Sequence, residues 1–336
     1  AGRGFRKPRL GGCQRPDGLK EIIVSVENPL TRPFEGTVSV AGGASKTLAI
    51  DSCGKSELRV PWPKALDFYA VNEMKLPVRL ESGGRVYDFE RSFTVLPVRR
   101  VGESFDWKDV PAVPISVIRN SWVNKLESPA WKGKDDFWPT VRIAWNEECL
   151  HMRFEVKDDR FFCEFNNPLG ATCWYCNDAI QVMFDNFGDG PSKALHGIFG
   201  IDSNDSEYDL IPTNATQAIV YRRGVPDHQL TGGVQEGGTG GGIKGNAVDP
   251  SIHCDFKWDE KAKMRTYTVS FTAHDLRPMR LVEGAAPGVT FKVYDNDGDI
   301  ERKVHYGLSH PEKQVAREAG DIDRAPHEYM TLLFVK

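Results

Sequence analysis

Apolar and polar residues alternate along most of this chain, and a period of two is typical of β-strands that bury one face. The alternation is densest from Trp138 to Asp185, where acidic loops separate three predicted strands. The strands predicted in the C-terminal two thirds of the chain are Trp138–Trp145, Cys149–Asp158, Asn177–Asp185, Met264–Phe271, Val289–Tyr294 and Tyr329–Val335. Helical segments are predicted only at Ala273–Leu281 and Glu312–Ala319. The pattern therefore predicts an all-β fold.

Turns divide the first hundred residues at short, regular intervals. Strands such as Glu21–Glu27 and Gly36–Val40 are separated by Gly- and Pro-containing turns, with a spacing of roughly 8–12 residues that is typical of a β-sandwich. We expect a linker or tail at residues 1–19, a small sandwich at 20–99, a linker at 100–114 and a larger sandwich at 115–336. The succession of a strand, the Asn28-Pro turn, a Gly-Thr-Val strand and a Leu-Arg-Val-Pro strand resembles the immunoglobulin-like accessory domains attached to large bacterial glycosidases.

Composition excludes several classes of function. A net charge of −4 does not fit the basic patch that nucleic-acid-binding proteins carry, and no apolar run approaches the ~20 residues that cross a bilayer.

Cys173 and Cys176 have the spacing of a zinc or redox pair, but no second such pair exists to complete a four-cysteine zinc site. We expect mostly buried thiols, with one bridge at most among Cys163, Cys173 and Cys176. Because the sequence begins at Ala1 rather than Met, we expect a mature or excised piece of a secreted or extracytoplasmic protein.

Five motifs occur in the order found in family-nine carbohydrate-binding modules. They are Trp145-Asn-Glu-Glu-Cys-Leu150, Val156-Lys-Asp158-Asp159, Asn177-Asp178-Ala-Ile-Gln181-Val-Met-Phe-Asp185, Tyr267–Leu276 and Tyr294-Asp295-Asn-Asp297-Gly-Asp299-Ile-Glu-Arg302. Residues 115–336 resemble that family, and the resemblance implies a jelly-roll-like sandwich that binds a poly- or oligosaccharide. The chain departs from the family pattern at Asn146, His151 and Tyr306, where an aspartate, a tyrosine and a tryptophan are usual. The family's typical sugar is therefore not transferred.

The resemblance also implies the residues of a sugar site, in which aromatic rings hold the apolar face of a pyranose while polar side chains bond its hydroxyls. The predicted carbohydrate-binding residues are Trp174, Tyr175, Trp138, Tyr306, Asp178, Asn177 and Arg302. For Asp178 the alternative is a structural partner of a turn or a cation. For Arg302 the alternative is a salt bridge with Asp295 or Asp297. Trp145 lies inside an alternating strand, so we expect it in the core.

Aspartates clustered in loops predict a structural Ca²⁺, because that ion takes six to eight oxygen ligands. The predicted ligands are Asp295, Asp297, Asp299, Asp158 and Asp159, with solvated turn aspartates as the alternative. An EF-hand is excluded, because Tyr306 stands at the twelfth loop position, where that loop requires Glu.

The leading hypothesis is a non-catalytic carbohydrate-binding module that targets or supports a secreted polysaccharide-degrading enzyme whose catalytic domain lies outside this chain. The sequence has no Gly-x-Ser-x-Gly elbow, no His-Glu-x-x-His motif and no repeated βα units. Whether the chain takes part in catalysis stays open, since a C-terminal part of a glycoside hydrolase that contributes to its active site fits the same sequence. A sandwich that binds haem through His151, Met152 or Met183 is the second alternative.

Overall fold

The computed structural model describes residues 9–11, 21–28, 31–40, 44–62, 65–115, 118–120, 133–163, 177–188, 205–224, 247–297, 304–307 and 329–336. Almost all regular structure in these ranges is β-strand, so the predicted all-β fold is confirmed. The helical element among them is one turn of 3-10 helix, Trp107–Asp109, in which the Asp106 carboxylate accepts a hydrogen bond from the Lys108 N–H. No helix in these ranges is long and apolar enough to cross a membrane.

The N-terminal strands form a small two-layered sandwich. They are β1 (Arg9–Gly11), β2 (Glu21–Glu27), β3 (Phe34–Val40), β4 (Ala44–Ile50), β5 (Lys55–Pro61), β6 (Asn72–Ser82) and β7 (Arg85–Arg99). One layer contains β1, β2 and β5, and the other contains β4, β3, β6 and β7. Val24 and Val60 of the first layer share a core with Val38 and Leu76 of the second. The small sandwich is confirmed, and its immunoglobulin-like topology stays a prediction.

The C-terminal strands form a larger sandwich. They are β8 (Val113–Pro114), β9 (Ile118–Asn120), β10 (Phe137–Trp145), β11 (Cys149–Asp158), β12 (Ile180–Asp185), β13 (Ser206–Asn214), β14 (Gln217–Gly224), β15 (Ala247–Val248), β16 (Cys254–Asp259), β17 (Met264–Thr272), β18 (Gly288–Asp295), β19 (Val304–Gly307) and β20 (Met330–Val335). We call the pairing series β8, β10, β11, β17, β16 the front layer. The series β14, β13, β12, β18 is the back layer.

Aromatic residues from both layers fill the space between them. The rings of Phe154 and Phe291 meet edge to face with centroids 5.2 Å apart, and those of Phe184 and Phe271 do so at 5.8 Å. On β11 and β17 the buried residues alternate with half-buried ones, as expected when a sheet buries one face. On β12 and β18 every residue is buried. Strands β12 and β18 are therefore covered on both faces, and this matters for the candidate site.

The two sandwiches are joined by shared strands. The last residues of β7 pair in parallel with β20, from Val95 with Thr331 to Arg99 with Val335. Trp145 is 1 % exposed, donates its indole N–H to the Val98 carbonyl at 3.1 Å and stacks on Phe334 at 5.1 Å. Its predicted core position is confirmed.

The segment at 100–114, expected as a linker, is packed against the front layer. Val113 pairs with Val141 in β10, and Arg142 donates to the Val110 carbonyl at 2.5 Å. Val110, Val113 and Ile115 are all buried. The connection between the two sandwiches is thus part of the larger core rather than a spacer.

The helix predicted at Ala273–Leu281 is wrong. Residues 273–278 form successive turns after β17. Pro278 has no N–H to donate and its ring would clash with the preceding turn of a helix, so a continuous helix is disfavoured there. The segment Glu312–Ala319 lies outside the described residues.

Candidate functional site

The outer surface of the back layer is polar and buried. Gln181 of β12 stands directly opposite Asp209 of β13 on one side and Lys292 of β18 on the other. Directly opposite residues point to the same face of a sheet, so these side chains converge. Two residues further along β12, and therefore on the same face, Met183 stands opposite Glu207 and Thr290. We call Gln181, Glu207, Asp209, Thr290 and Lys292 the polar face, and none of them is more than 6 % exposed.

Gln181 organises the polar face. Its amide N–H donates to Glu207 Oε1 at 2.5 Å, and its amide oxygen accepts from the Tyr294 hydroxyl at 3.5 Å. Lys292 Nζ lies 5.9 Å from the centroid of the Tyr294 ring, near the limit of a cation–π contact. The face therefore combines an amide that donates and accepts, carboxylates that accept and an ammonium that donates.

Tyrosines surround these polar groups. Tyr294 packs with Ala179 and Ile211, and Tyr221 lies against the same cluster. On the other side, the Tyr329 hydroxyl contacts Met183 Sδ at 3.6 Å. Polar groups set among apolar and aromatic walls are the usual composition of a small-molecule site.

The sequence analysis did not identify Glu207, Asp209 or Lys292 as sugar-binding residues. The sequence does contain a pattern that could have pointed to them, because β13 and β18 alternate core residues with charged or polar ones. Alternation of this kind is read by default as an inner face and a solvated outer face. The additional information is the burial of the outer face, which becomes visible only when the strands are assembled.

A buried arginine occupies the end of the sandwich beside the polar face. Arg265 has no exposed surface, and its Nε lies 2.6 Å from Asp158 Oδ2. Its two terminal nitrogens lie 3.3 Å from Asp178 Oδ1 and 3.8 Å from Asp295 Oδ1. We call these four residues the arginine hub. They come from β17, the end of β11, the residues before β12 and the end of β18, so the hub joins the two layers.

The hub contains three acidic groups and one basic group. Burial raises the pKa of Asp158 to about 6, and the neighbouring Arg265 only partly offsets this effect. Burial also raises the pKa of Asp178 and of Asp295 well above the ordinary range. Burial alone would lower the pKa of Arg265, but the surrounding carboxylates raise it, so the guanidinium stays charged. One cation faces three carboxyls, and we expect at least one of them to keep its proton near neutral pH.

Main-chain hydrogen bonds connect the hub to the loops around it. The Asp178 carboxylate accepts from Phe162 N at 2.5 Å and from Asn296 N at 2.9 Å. The Tyr267 hydroxyl donates to the Asp178 carbonyl. Arg265 donates to the Tyr294 carbonyl at 2.9 Å. The hub therefore fixes the backbone of the residues that enter β12 and leave β18.

The predicted sugar-binding residues fall into three groups. Trp174, Tyr175 and Arg302 lie outside the described residues, and Tyr306 is described only by its backbone, which pairs with Val293 and Ile118. Asn177 and Asp178 are fully buried, and the contacts of Asp178 match the alternative of a structural partner for a cation. Trp138 is half-buried on β10, with Lys134 Nζ 4.2 Å from its ring centroid. Direct sugar contact by these residues stays a prediction.

The predicted calcium ligands separate into two clusters. Asp158 and Asp295 belong to the hub, where the guanidinium of Arg265 already lies among the carboxylates. Asp159 and Asp297 form another group with Asp136, and their carboxylate oxygens lie within 4.8 Å of one another. Asp299 lies outside the described residues. Calcium binding at either cluster stays a prediction.

The three proposed haem ligands have other surroundings. Met152 is fully buried in the core, and Met183 is 1 % exposed beside Tyr329. His151 Nδ1 lies 2.8 Å from Ser270 Oγ, and its Nε2 lies 3.4 Å from Asn146 Nδ2. Burial lowers the pKa of His151, so its imidazole is neutral at physiological pH. None of these contacts favours haem over a structural role.

The cysteines differ in their surroundings. Cys254 is buried, which raises the pKa of its thiol to about 12, whereas Cys53 is exposed in a turn. Cys163 Sγ donates to the Pro212 carbonyl at 3.0 Å. Cys173 and Cys176 lie outside the described residues, so a bridge involving them stays a prediction.

Comparisons with known proteins give structural but not sequence matches. No family model and no curated protein matches this sequence. The chain is similar to a family 9 carbohydrate binding module from Caldicellulosiruptor kristjanssonii in complex with glucose, with a TM-score of 0.44 and 11 % identity over 71 % of this chain and 94 % of that chain. It is also similar to a family 9 module from the same organism in complex with cellotriose, with a TM-score of 0.43 and 12 % identity over 71 % of this chain and 92 % of that chain. A Bacteroides uniformis protein to which carbohydrate binding has been ascribed gives a TM-score of 0.41 and 10 % identity over 71 % of this chain and 98 % of that chain. The similar structures thus include members of the family that the sequence motifs resemble.

Proposed function

We propose that this chain binds carbohydrate, with the polar face as the hydrogen-bonding floor of the site. The observation that carries the proposal is the convergence of an amide, two carboxylates and an ammonium on a sheet face that is buried rather than solvated. The motif order of residues 115–336, which resembles family-nine modules, points to the same class of ligand.

The chemistry of the polar face suits vicinal hydroxyls. Each sugar hydroxyl donates one hydrogen bond and accepts others, so a site needs both kinds of partner side by side. Lys292 donates, Asp209 and Glu207 accept, and Gln181 does both. An aromatic ring would hold the apolar face of the pyranose, and Trp174 remains the first candidate because it precedes β12 in the chain.

A glycan array followed by calorimetry tests this proposal, with glucose and cellotriose among the first probes. A hydrogen bond to a charged group contributes about 1.5–3 kcal/mol, so Lys292→Met is expected to weaken saccharide binding about tenfold or more. Lys257→Met is the matched control, because Lys257 is a strand lysine on the front layer with 69 % of its side chain exposed. Absence of binding to every glycan, or equal affinities for the two variants, contradicts the proposal.

Trp174 is tested separately. Saccharide binding is expected to quench tryptophan fluorescence in the native chain and not in Trp174→Ala. If Trp174→Ala keeps both affinity and quenching, the stacking ring is a different one, and Trp138→Ala is the next variant to measure.

We further propose that binding is non-catalytic and supports a secreted polysaccharide-degrading enzyme, as the resemblance to accessory domains suggests. Glu207 and Asp209 are two positions apart on one strand, so they project from the same face at a backbone spacing of about 7 Å. Glycosidase carboxylates must instead flank the scissile bond from two sides. Release of reducing sugar by the isolated chain, lost in Glu207→Gln, would favour the glycoside hydrolase alternative.

A further inference from the structure

The arginine hub connects three places in the chain that the proposed site depends on. Through Asp178 it fixes the residues that enter β12. Through the Tyr294 carbonyl it fixes the strand that carries Lys292. Through Asp295 and Asn296 it holds the start of the loop that leads to Arg302.

The composition of the hub argues against a role in stability alone. Burying a guanidinium with three carboxylates carries a large desolvation cost, and replacing such a group by well-packed apolar residues is often neutral or stabilising. An ionic cluster differs from apolar packing in that it fixes the orientation of its members. A planar guanidinium sets the angle as well as the distance of each partner. Here its nitrogens reach two carboxylates and one carbonyl on separate strands and loops.

We propose that Arg265 is a positioning residue for saccharide binding: it holds the entry to β12 and the exit from β18 in the arrangement that the ligand requires, without touching the ligand. This inference rests on the proposed function. A site that is already ordered before binding loses less conformational freedom when the ligand arrives, so the hub acts on affinity through preorganisation.

Arg265→Lys and Tyr267→Phe test the inference. Arg265→Lys keeps the charge but cannot reach several partners at once. Tyr267→Phe removes only the hydroxyl that donates to the Asp178 carbonyl. Tyr208→Phe is the matched control for the second variant: Tyr208 is also fully buried, and its hydroxyl donates to the Asp275 carbonyl at 2.6 Å, at the opposite end of β17. Saccharide Kd is measured by calorimetry at a temperature at which every variant is folded, and Tm is measured in parallel.

We expect Arg265→Lys to raise the Kd about tenfold, equivalent to about 1.4 kcal/mol, and Tyr267→Phe to raise it about three- to fivefold. Tyr208→Phe should lower Tm to a similar degree as Tyr267→Phe and leave the Kd within about twofold of the native value. If Arg265→Lys does not fold, the two tyrosine variants decide the question. Equal Kd values for Tyr267→Phe, Tyr208→Phe and the native chain overturn the positioning role. If the native chain binds no saccharide, the proposed function itself fails and this inference falls with it.

Discussion

Replacing Arg265 by methionine tests the charge balance of the hub most directly. The substitution keeps most of the apolar stem and removes the only basic side chain among three buried carboxyls in this described cluster. Removing one partner of a buried ion pair typically costs about 3–5 kcal/mol, because the remaining charge is left uncompensated. We expect a loss of that size in the free energy of unfolding at pH 8.

The loss should depend on pH, and its sign follows from the raised pKa of Asp158, about 6 against an ordinary value of about 3.9. The folded chain holds the Asp158 proton more tightly than the unfolded chain. The contribution of this proton to the free energy of unfolding is therefore complete below about pH 4 and is lost as the pH rises through 6. The difference between the folded and unfolded pKa values of Asp158 corresponds to about 3 kcal/mol at about 1.36 kcal/mol per pKa unit. Without Arg265 the three carboxyls retain protons to still higher pH. Lower pH therefore reduces the destabilisation of Arg265→Met. Its loss in free energy of unfolding at pH 5 should be less than about half of the loss at pH 8.

Urea unfolding followed by tryptophan fluorescence at pH 5 and pH 8 measures both quantities. Arg153→Met is the control, because Arg153 is 32 % exposed and pairs with Glu155 at 3.0 Å on the outer face of β11. A pair of that kind contributes at most about 1 kcal/mol, and its loss should be similar at both pH values. A deficit in Arg265→Met that is the same at pH 5 and pH 8, or no larger than that of Arg153→Met, refutes the reasoning.

Three further predictions concern the junction between the sandwiches and the cluster of Asp136, Asp159 and Asp297. Trp145→Phe leaves the Val98 carbonyl without its indole donor, so urea unfolding should show a loss of about 1–3 kcal/mol; an unchanged midpoint would mean that this contact contributes nothing. Leu333→Ala opens a cavity between the sandwiches and should cost about 2–5 kcal/mol, and it should split the single calorimetric transition expected for the native chain; a native chain with two transitions argues against a shared core. Calcium should raise Tm, and Asp159→Asn or a chelator should abolish the rise; if neither changes Tm, the calcium prediction is wrong.

The strands were predictable because the period of two is a local property of the sequence. Predicted and observed bounds agree at β11 and differ by one residue at the start of β10. The parallel pairing of β20 with β7 was not predictable, since nothing in either strand specifies a partner at the other end of the chain. The packing of 100–114 was missed for a related reason. Its prolines and charges are typical of a linker, and only the assembled front layer gives Val113 a place to be buried.

The site was predictable in part. The family motifs directed attention to Asp178 and Asp295, which lie around Arg265. The predicted sugar contact of Asp178 and calcium ligation by Asp295 stay predictions. The sequence did not point to Arg265. It is the second residue of β17, and an arginine at a strand end is expected to be half-exposed, whereas Arg265 is buried. Whether a carboxylate meets a ligand or an internal cation depends on contacts between distant strands, and a single sequence does not contain them.

The polar face and the hub meet in β18, and this constrains how the site can work. Lys292 belongs to the polar face and lies beside the Tyr294 ring, the Tyr294 carbonyl accepts from Arg265, and Asp295 enters the hub. Consecutive residues on one strand cannot move independently, because their positions are set by the same backbone hydrogen bonds to β12. A disturbance of the hub must therefore either be absorbed in the loops or shift Lys292 relative to Gln181. Gln181 lies in β12 three residues after Asp178, so the same guanidinium fixes the backbone near both members of the Gln181–Lys292 register pair.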